Sequence, residues 1–134
     1  MVSLRNRIGD VEMRSAILVF IVLMLSVYAQ LVVKARALVH TKQLLAASAQ
    51  LDYLLAMFTD PWVLSGLMGV LVAGACWMLA IERLEVGFAY PFMALSFVLV
   101  PVGSMLLFGE PLPKLQLLAL ALIIAGVAMS ALTR

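Results

Sequence analysis

The stretch EVGFAYPFMALSFVLVPVGSMLLFGEPLP, Glu85 to Pro113, decides the fold. Between Glu85 and Glu110 it runs for 24 residues without a charge. A helix of that length crosses about 30 Å of hydrocarbon. Pro91, Pro101, Gly87, Gly103, Tyr90, Ser96 and Ser104 interrupt the apolar run. Pro101 lacks an N–H and its ring crowds the carbonyl of Phe97, which predicts a kink near Pro101–Gly103. Backbone groups freed at a kink need protein or water beside them, so this span is expected to face a neighbour or a cavity. Membrane helices tolerate proline and glycine better than soluble ones, which would account for a single proline. The combination favours a moving or pathway-lining helix, with Pro91, Pro101 and Gly103 as hinge candidates.

The rest of the chain agrees with a bilayer setting. Of 134 residues, 66% are hydrophobic and 12% charged, and the mean hydropathy is +1.17. Those values exclude an ordinary soluble domain. Uncharged runs at 15–33, 61–81, 86–109 and 115–133 are each long enough to span. The expected fold is an all-α membrane protein, one domain over 1–134, with spans at about 15–34, 61–81, 86–109 and 114–133. The first run is not read as a cleaved leader, because three more spans follow and no small-residue cleavage site is evident. Cys76 is the one cysteine and His40 the one histidine, so neither a disulfide nor a metal site is expected. No cofactor is implied, and the net charge of +2 is too small for a nucleic-acid surface.

Residues 1–14 are polar and expected to be frayed or interfacial. In the first span Ser26, Gln30 and Lys34 follow at four-residue spacing, which places them on one helical stripe. Polar groups within a span usually point to the bundle interior. Lys34 near the end also fits a snorkelling lysine. The connection 35–60 alternates apolar residues such as Leu51, Tyr53, Leu54, Met57 and Phe58 with Gln43, Ser48, Gln50 and Asp52, suggesting an interfacial helix over about 41–58. Asp60–Pro61 reads as an N-cap followed by proline at the first helical position.

In the second span Gly66, Gly69, Ala73 and Gly74 permit close helix contact. Trp62 suits an interfacial belt, and Trp77 either a belt or a pathway. Leu122, Gly126 and Ser130 repeat every four residues in the last span, a small groove for contact within the chain or with a second chain. With the N-terminus inside, Arg5, Arg7, Arg14, Arg83 and Arg134 would lie inside and Lys34, Arg36, Lys42 and Lys114 outside. Five against four fixes orientation weakly. Four short helices enclose little space, so a pathway between the subunits of a dimer is the economical arrangement.

Three segments carry a resemblance. LSVYAQLVVK (25–34), LEVGFAYPFMALSFVLV (84–100) and FGEPLPKLQLLALALIIAGV (108–127) are similar, in the same order, to stretches of the small four-helix members of the drug/metabolite transporter superfamily. The closer likeness is to the paired flippase subunits that move undecaprenyl-phosphate-aminoarabinose across the bacterial inner membrane. The more distant one is to the small multidrug resistance exporters. The long 35–60 connection departs from both. Those exporters carry a membrane-embedded glutamate eight residues before the lysine matching Lys34, where this chain has Ser26, and a pathway tryptophan where it has Met93. A carboxylate with a raised pKa is what lets a helix exchange protons for cations, and no Asp or Glu lies deep in these spans.

The resemblance therefore implies a flippase subunit in the bacterial inner membrane, working as a homodimer or as a heterodimer with a related four-helix subunit. Its substrate would be a polyprenyl-phosphate-linked sugar, with the tail left among membrane lipids. In that reading Lys34 meets the phosphate as a point charge. Ser26, Gln30 and Tyr90 bond sugar hydroxyls, and Arg36 and Arg83 are second-choice phosphate contacts. Glu82, Glu85 and Glu110 read first as helix-end charges. Glu110, inside the GEP motif, is a cap for the fourth span or a partner for a basic group. A small exporter of cationic compounds and a non-transporting membrane scaffold are the competing readings. Nothing resembles a nucleophile–base pair or a nucleotide loop, so no enzyme is expected.

Overall fold

The computed structural model describes the backbone of residues 2–44, 50–82 and 84–132, and the side chains of 13–41, 51–82, 84–87 and 89–132. Regular structure there is entirely helical: α1 (Val2–Leu44), α2 (Gln50–Thr59), α3 (Pro61–Ile81), α4 (Val86–Met93), α5 (Ser96–Phe108) and α6 (Lys114–Leu132). Among the described residues, four stretches are long and apolar enough to cross a membrane: Met13–Thr41, Pro61–Ile81, Ala89–Phe108 and Lys114–Leu132. The fold class read from the sequence, four spanning helices plus a shorter one in the connection, is what is found.

The first helix corrects the expected boundaries. Residues 2–14 are helical rather than frayed, and α1 continues past Lys34 to Leu44. Leu4, Arg5, Arg7, Glu12 and Met13 are good helix formers, and the single Gly9 costs only about 1 kcal/mol. Residues 35–44 contain neither glycine nor proline, so nothing stops the helix where the apolar run ends. At 1.5 Å per residue α1 is about 64 Å long, roughly twice the hydrocarbon thickness. The helix expected over 41–58 is thus divided: its first residues belong to α1, and a separate α2 begins at Gln50.

The start of α3 is as expected. Asp60 has extended backbone, its Oδ1 accepts from the Trp62 amide at 2.9 Å, and Pro61 occupies the first helical position. From there α3 runs antiparallel to α1 along its small-residue face. A Cβ added at Gly66 would lie 3.4 Å from the Ala29 Cα, and one at Gly69 would touch Leu25 and Tyr28 at 3.9 Å. Ala73 is buried, while Gly74 faces open space and takes no part. Tyr28 and Ser65 hydroxyls pair at 3.0 Å across the same seam.

The third span is made of two helices. Its interruption lies at Ala94–Leu95, not at the expected Pro101–Gly103, through which α5 runs unbroken. Downstream of Pro91 the amides of Ala94 and Leu95 reach carbonyls three residues back, Pro91 and Phe92, at 3.1 Å each. This tightens the turn. The Ser96 hydroxyl donates to the Met93 carbonyl at 2.7 Å, satisfying a group released by the change of pitch. Gly103 acts in packing instead. An added Cβ would sit 2.9 Å from Leu31 Cδ1, so its lack of a side chain lets α5 approach α1.

At one end of the bundle Val19, Ala80, Leu84 and Ala89 form a buried cluster, flanked by Trp77, Phe92 and Met93. At the other end the C-terminal part of α1 meets the start of α3 and the end of α5. Of the first span's most apolar window 28% is buried, against 6% for each of the last two. α1 is therefore the central helix, and α6 lies at the periphery.

Candidate functional site

The site is built where α5 ends. Gly109 adopts the left-handed conformation (φ 67°), and its amide closes on the Met105 carbonyl at 3.0 Å. That turn places Glu110 just beyond the helix, where Ser104 on α5 and Lys34 on α1 both reach it. The Lys34 Nζ lies 2.5 Å from Glu110 Oε1, and the Ser104 hydroxyl donates to Glu110 Oε2. The hydrogen bond from Lys34, then that from Ser104, holds the Glu110 carboxyl below the usual carboxylate range against the opposing effect of burial. Glu110 therefore pairs with a basic group and does not cap the last span, which starts at Lys114.

This pair opens onto a cleft of about 920 Å³ walled by α1, α2, α3, α5 and residues 110–116. Its lining is mostly apolar, with Leu31, Val33, Leu54, Met57, Phe58, Leu67, Val70 and Val100 among the wall residues. Gln30, Lys34, Tyr53, Ser104, Glu110 and Gln116 supply its polar groups. Gln30 and Lys34 are one turn apart on α1 and so share a wall. The arrangement is amphipathic: a greasy trough with two opposite charges in its lining. The side chains of Lys34 and Glu110 are 41% and 43% exposed, so a ligand reaches both.

A second charged group lies between the same helices. Asp60 is 5% exposed. Its Oδ2 accepts from Arg36 Nε at 2.6 Å and lies 2.9 Å from His40 Nε2, while Oδ1 caps α3. Burial alone would push its carboxyl up, but the hydrogen bonds from His40, Arg36 and the Trp62 amide outweigh this and lower it to about 2. The cluster ties the end of α1 to the start of α3 and holds the cleft wall in place.

Of the residues singled out from sequence, Gln30, Lys34, Glu110 and Pro101 come together in this cleft. Ser26, half-buried on the same stripe of α1, is not part of its lining. Tyr90 stands towards the other end, edge-on to Trp77 with ring centroids 5.5 Å apart. Pro91 and Gly103 are not part of the cleft lining. Arg36 is engaged by Asp60, and Arg83 lies outside the described residues. Leu122 and Gly126 are exposed on α6 and Ser130 is half-buried. Sequence reasoning misses the wall contributed by Tyr53 and α2, the Ser104 contact, and the pairing of Arg36 and His40 with Asp60. The spacing of Arg36 and His40, one turn apart with an acid at the next helix start, is the available signal.

Residues 11–132 match the EamA-like transporter family. The chain is 43% identical over 74 residues to the probable 4-amino-4-deoxy-L-arabinose-phosphoundecaprenol flippase subunit ArnE of Pseudomonas paraeruginosa (strain DSM 24068 / PA7), covering 55% of this chain and 64% of that protein. It is 42% identical, with the same coverage, to the protein of that name from Pseudomonas aeruginosa (strain LESB58). With the one from Pseudomonas syringae pv. syringae (strain B728a) it shares 36% over 74 residues, 50% of this chain and 68% of the relative. The match thus spans a little under two thirds of the first two relatives. No solved structure matches. With four spanning-capable helices and a family match over nearly its whole length, this chain is a multi-pass membrane protein and belongs to the EamA-like transporter family of the drug/metabolite transporter superfamily.

Proposed function

We propose that this chain is a subunit of a flippase that carries a polyprenyl-phosphate-linked sugar, such as aminoarabinose on undecaprenyl phosphate, across the bacterial inner membrane. The observation that carries the reading is the pairing of Lys34 with Glu110 in the lining of an apolar cleft. A lipid-linked sugar has that polarity: a long tail needing an apolar surface, and a charged headgroup needing polar partners. Lys34 meets the phosphate, Gln30, Ser104 and Gln116 offer hydrogen bonds to the sugar, and the tail follows the apolar walls beside Pro101. No covalent step is required, so the activity is transport and not catalysis. The relatives named as probable flippase subunits support the same substrate class.

Export of cations by proton exchange fits less well. Among the described residues, Glu110 is the carboxylate in the cleft lining, and its pKa moves down. Proton exchange needs a carboxylate moved up, so that it can take a proton near neutral pH.

The working form is proposed to be a dimer, with the α6 face around Leu122 and Gly126 in the contact. The test is Lys34→Ala in cells that lack the native gene. Envelope lipid should lose its amino-sugar modification by mass spectrometry, while membrane insertion and assembly stay normal. Loss of assembly together with modification would instead make the chain a scaffold, and unaltered modification would remove Lys34 from the pathway.

A further inference from the structure

Lys34 and Glu110 occupy each other within a cleft large enough for a ligand. A headgroup that entered carrying only a negative charge would take Lys34 and leave the Glu110 carboxylate, still held by Ser104, beside a second anion. Like charges held that close repel. A neutral headgroup would have to leave the pair closed. Only a headgroup that brings both an anion and a cation replaces both partners at once. We infer that Glu110 is the residue that selects an amine-bearing sugar: the substrate opens the ion pair, its phosphate takes Lys34, and its ammonium takes Glu110. This rests on the flippase reading.

Three features of the site support the exchange. The pair is roughly half exposed, and such pairs are weak enough to part readily. Ser104 holds the second oxygen of Glu110, so the carboxylate keeps its place after Lys34 leaves. The carboxyl also lies below its usual range, so it stays anionic at any pH at which a sugar amine is protonated near neutrality. On a pyranose ring with phosphate at position 1 and amine at position 4, the two charges sit at opposite edges. One ring therefore fits between two side chains that have moved apart.

Selectivity is the readout that a purely structural role for Glu110 would not move. The purified protein is titrated with undecaprenyl phosphate bearing 4-amino-4-deoxy-L-arabinose and with the same lipid N-acetylated, which removes the cation and adds an acetyl group, whose bulk the Glu110→Gln comparison controls for. Wild type should prefer the free amine by about tenfold, the worth of one charge-assisted hydrogen bond. Glu110→Gln keeps the size and the Ser104 contact, and it should bind both lipids alike. The double exchange Lys34→Glu with Glu110→Lys restores an ion pair but reverses its direction, so it should remain folded and lose the preference. Equal binding of the two lipids by wild type, or an undiminished preference in Glu110→Gln, would overturn this assignment while leaving the flippase reading standing. Binding of neither lipid above bulk phospholipid would overturn both.

Discussion

Asp60 shows how a single side chain is shared between two helices. One oxygen caps α3 and the other takes Arg36 and His40 of α1. Its pKa lies at about 2 against an ordinary 3.8. A group whose folded value is depressed stabilises the fold above its unfolded value, and that contribution drains away as pH falls towards the folded value. The window here is from about pH 4 down to about pH 2. Across it the melting temperature of wild type in detergent should fall more steeply than that of Asp60→Asn. The variant starts lower and has no carboxylate at this position to protonate. Parallel curves for the two proteins would mean that the cluster contributes no pH-dependent stability. Lys34→Ala, by contrast, should change the melting temperature little, because its pair with Glu110 is half exposed.

At the scale of helices, Gly66 brings α3 close against Ala29 of α1. Gly66→Leu forces a side chain into that seam and should cost about 1–3 kcal/mol, read as a lower melting temperature. Gly74→Leu is the control: no atom lies within 4 Å of its Cβ position, so stability should hold. If both variants lose stability equally, the seam is not where the structure puts it. The seam is legible in the sequence as small residues in an apolar run, but which of them face α1 is not, because that depends on helix rotation. The four spans are legible too, since charge-free runs state their own length. The ends of α1 are not, because residues 2–14 and 35–44 signal polarity without any helix stop. The break at Ala94–Leu95 is displaced from the Pro101–Gly103 pair that suggests a kink: the Ala94 and Leu95 amides turn to the carbonyls of Pro91 and Phe92 and the Ser96 hydroxyl takes that of Met93, local bonds that a proline alone does not announce. The pairing of Lys34 with Glu110 is hidden by their distance along the chain. Each is conspicuous alone, one as a lysine at the end of a polar stripe and the other as the acid of a GEP motif.

Taken as a molecule, the bundle has two unlike ends. Lys34, Arg36, His40, Asp60 and Glu110 gather at one, and the apolar cluster of Val19, Ala80, Leu84 and Ala89 lies at the other. α6 is barely covered: Leu122 is 65% exposed and nothing lies within 4 Å of the Gly126 Cβ position. If this face is the dimer contact, Gly126→Leu should leave the single chain folded and shift it from dimer to monomer in light scattering of the detergent complex. An unchanged mass would move the contact to another face.

Everything proposed for this chain depends on the cleft at Lys34 taking a lipid-linked phosphosugar. Native mass spectrometry reads that directly: the purified protein is offered undecaprenyl-phosphoryl sugars in a lipid-like detergent, with Lys34→Ala alongside. Wild type should retain the phosphosugar lipid selectively, and the variant should lose it. Retention no greater than that of bulk phospholipid, or retention unaffected by Lys34→Ala, would contradict the assignment.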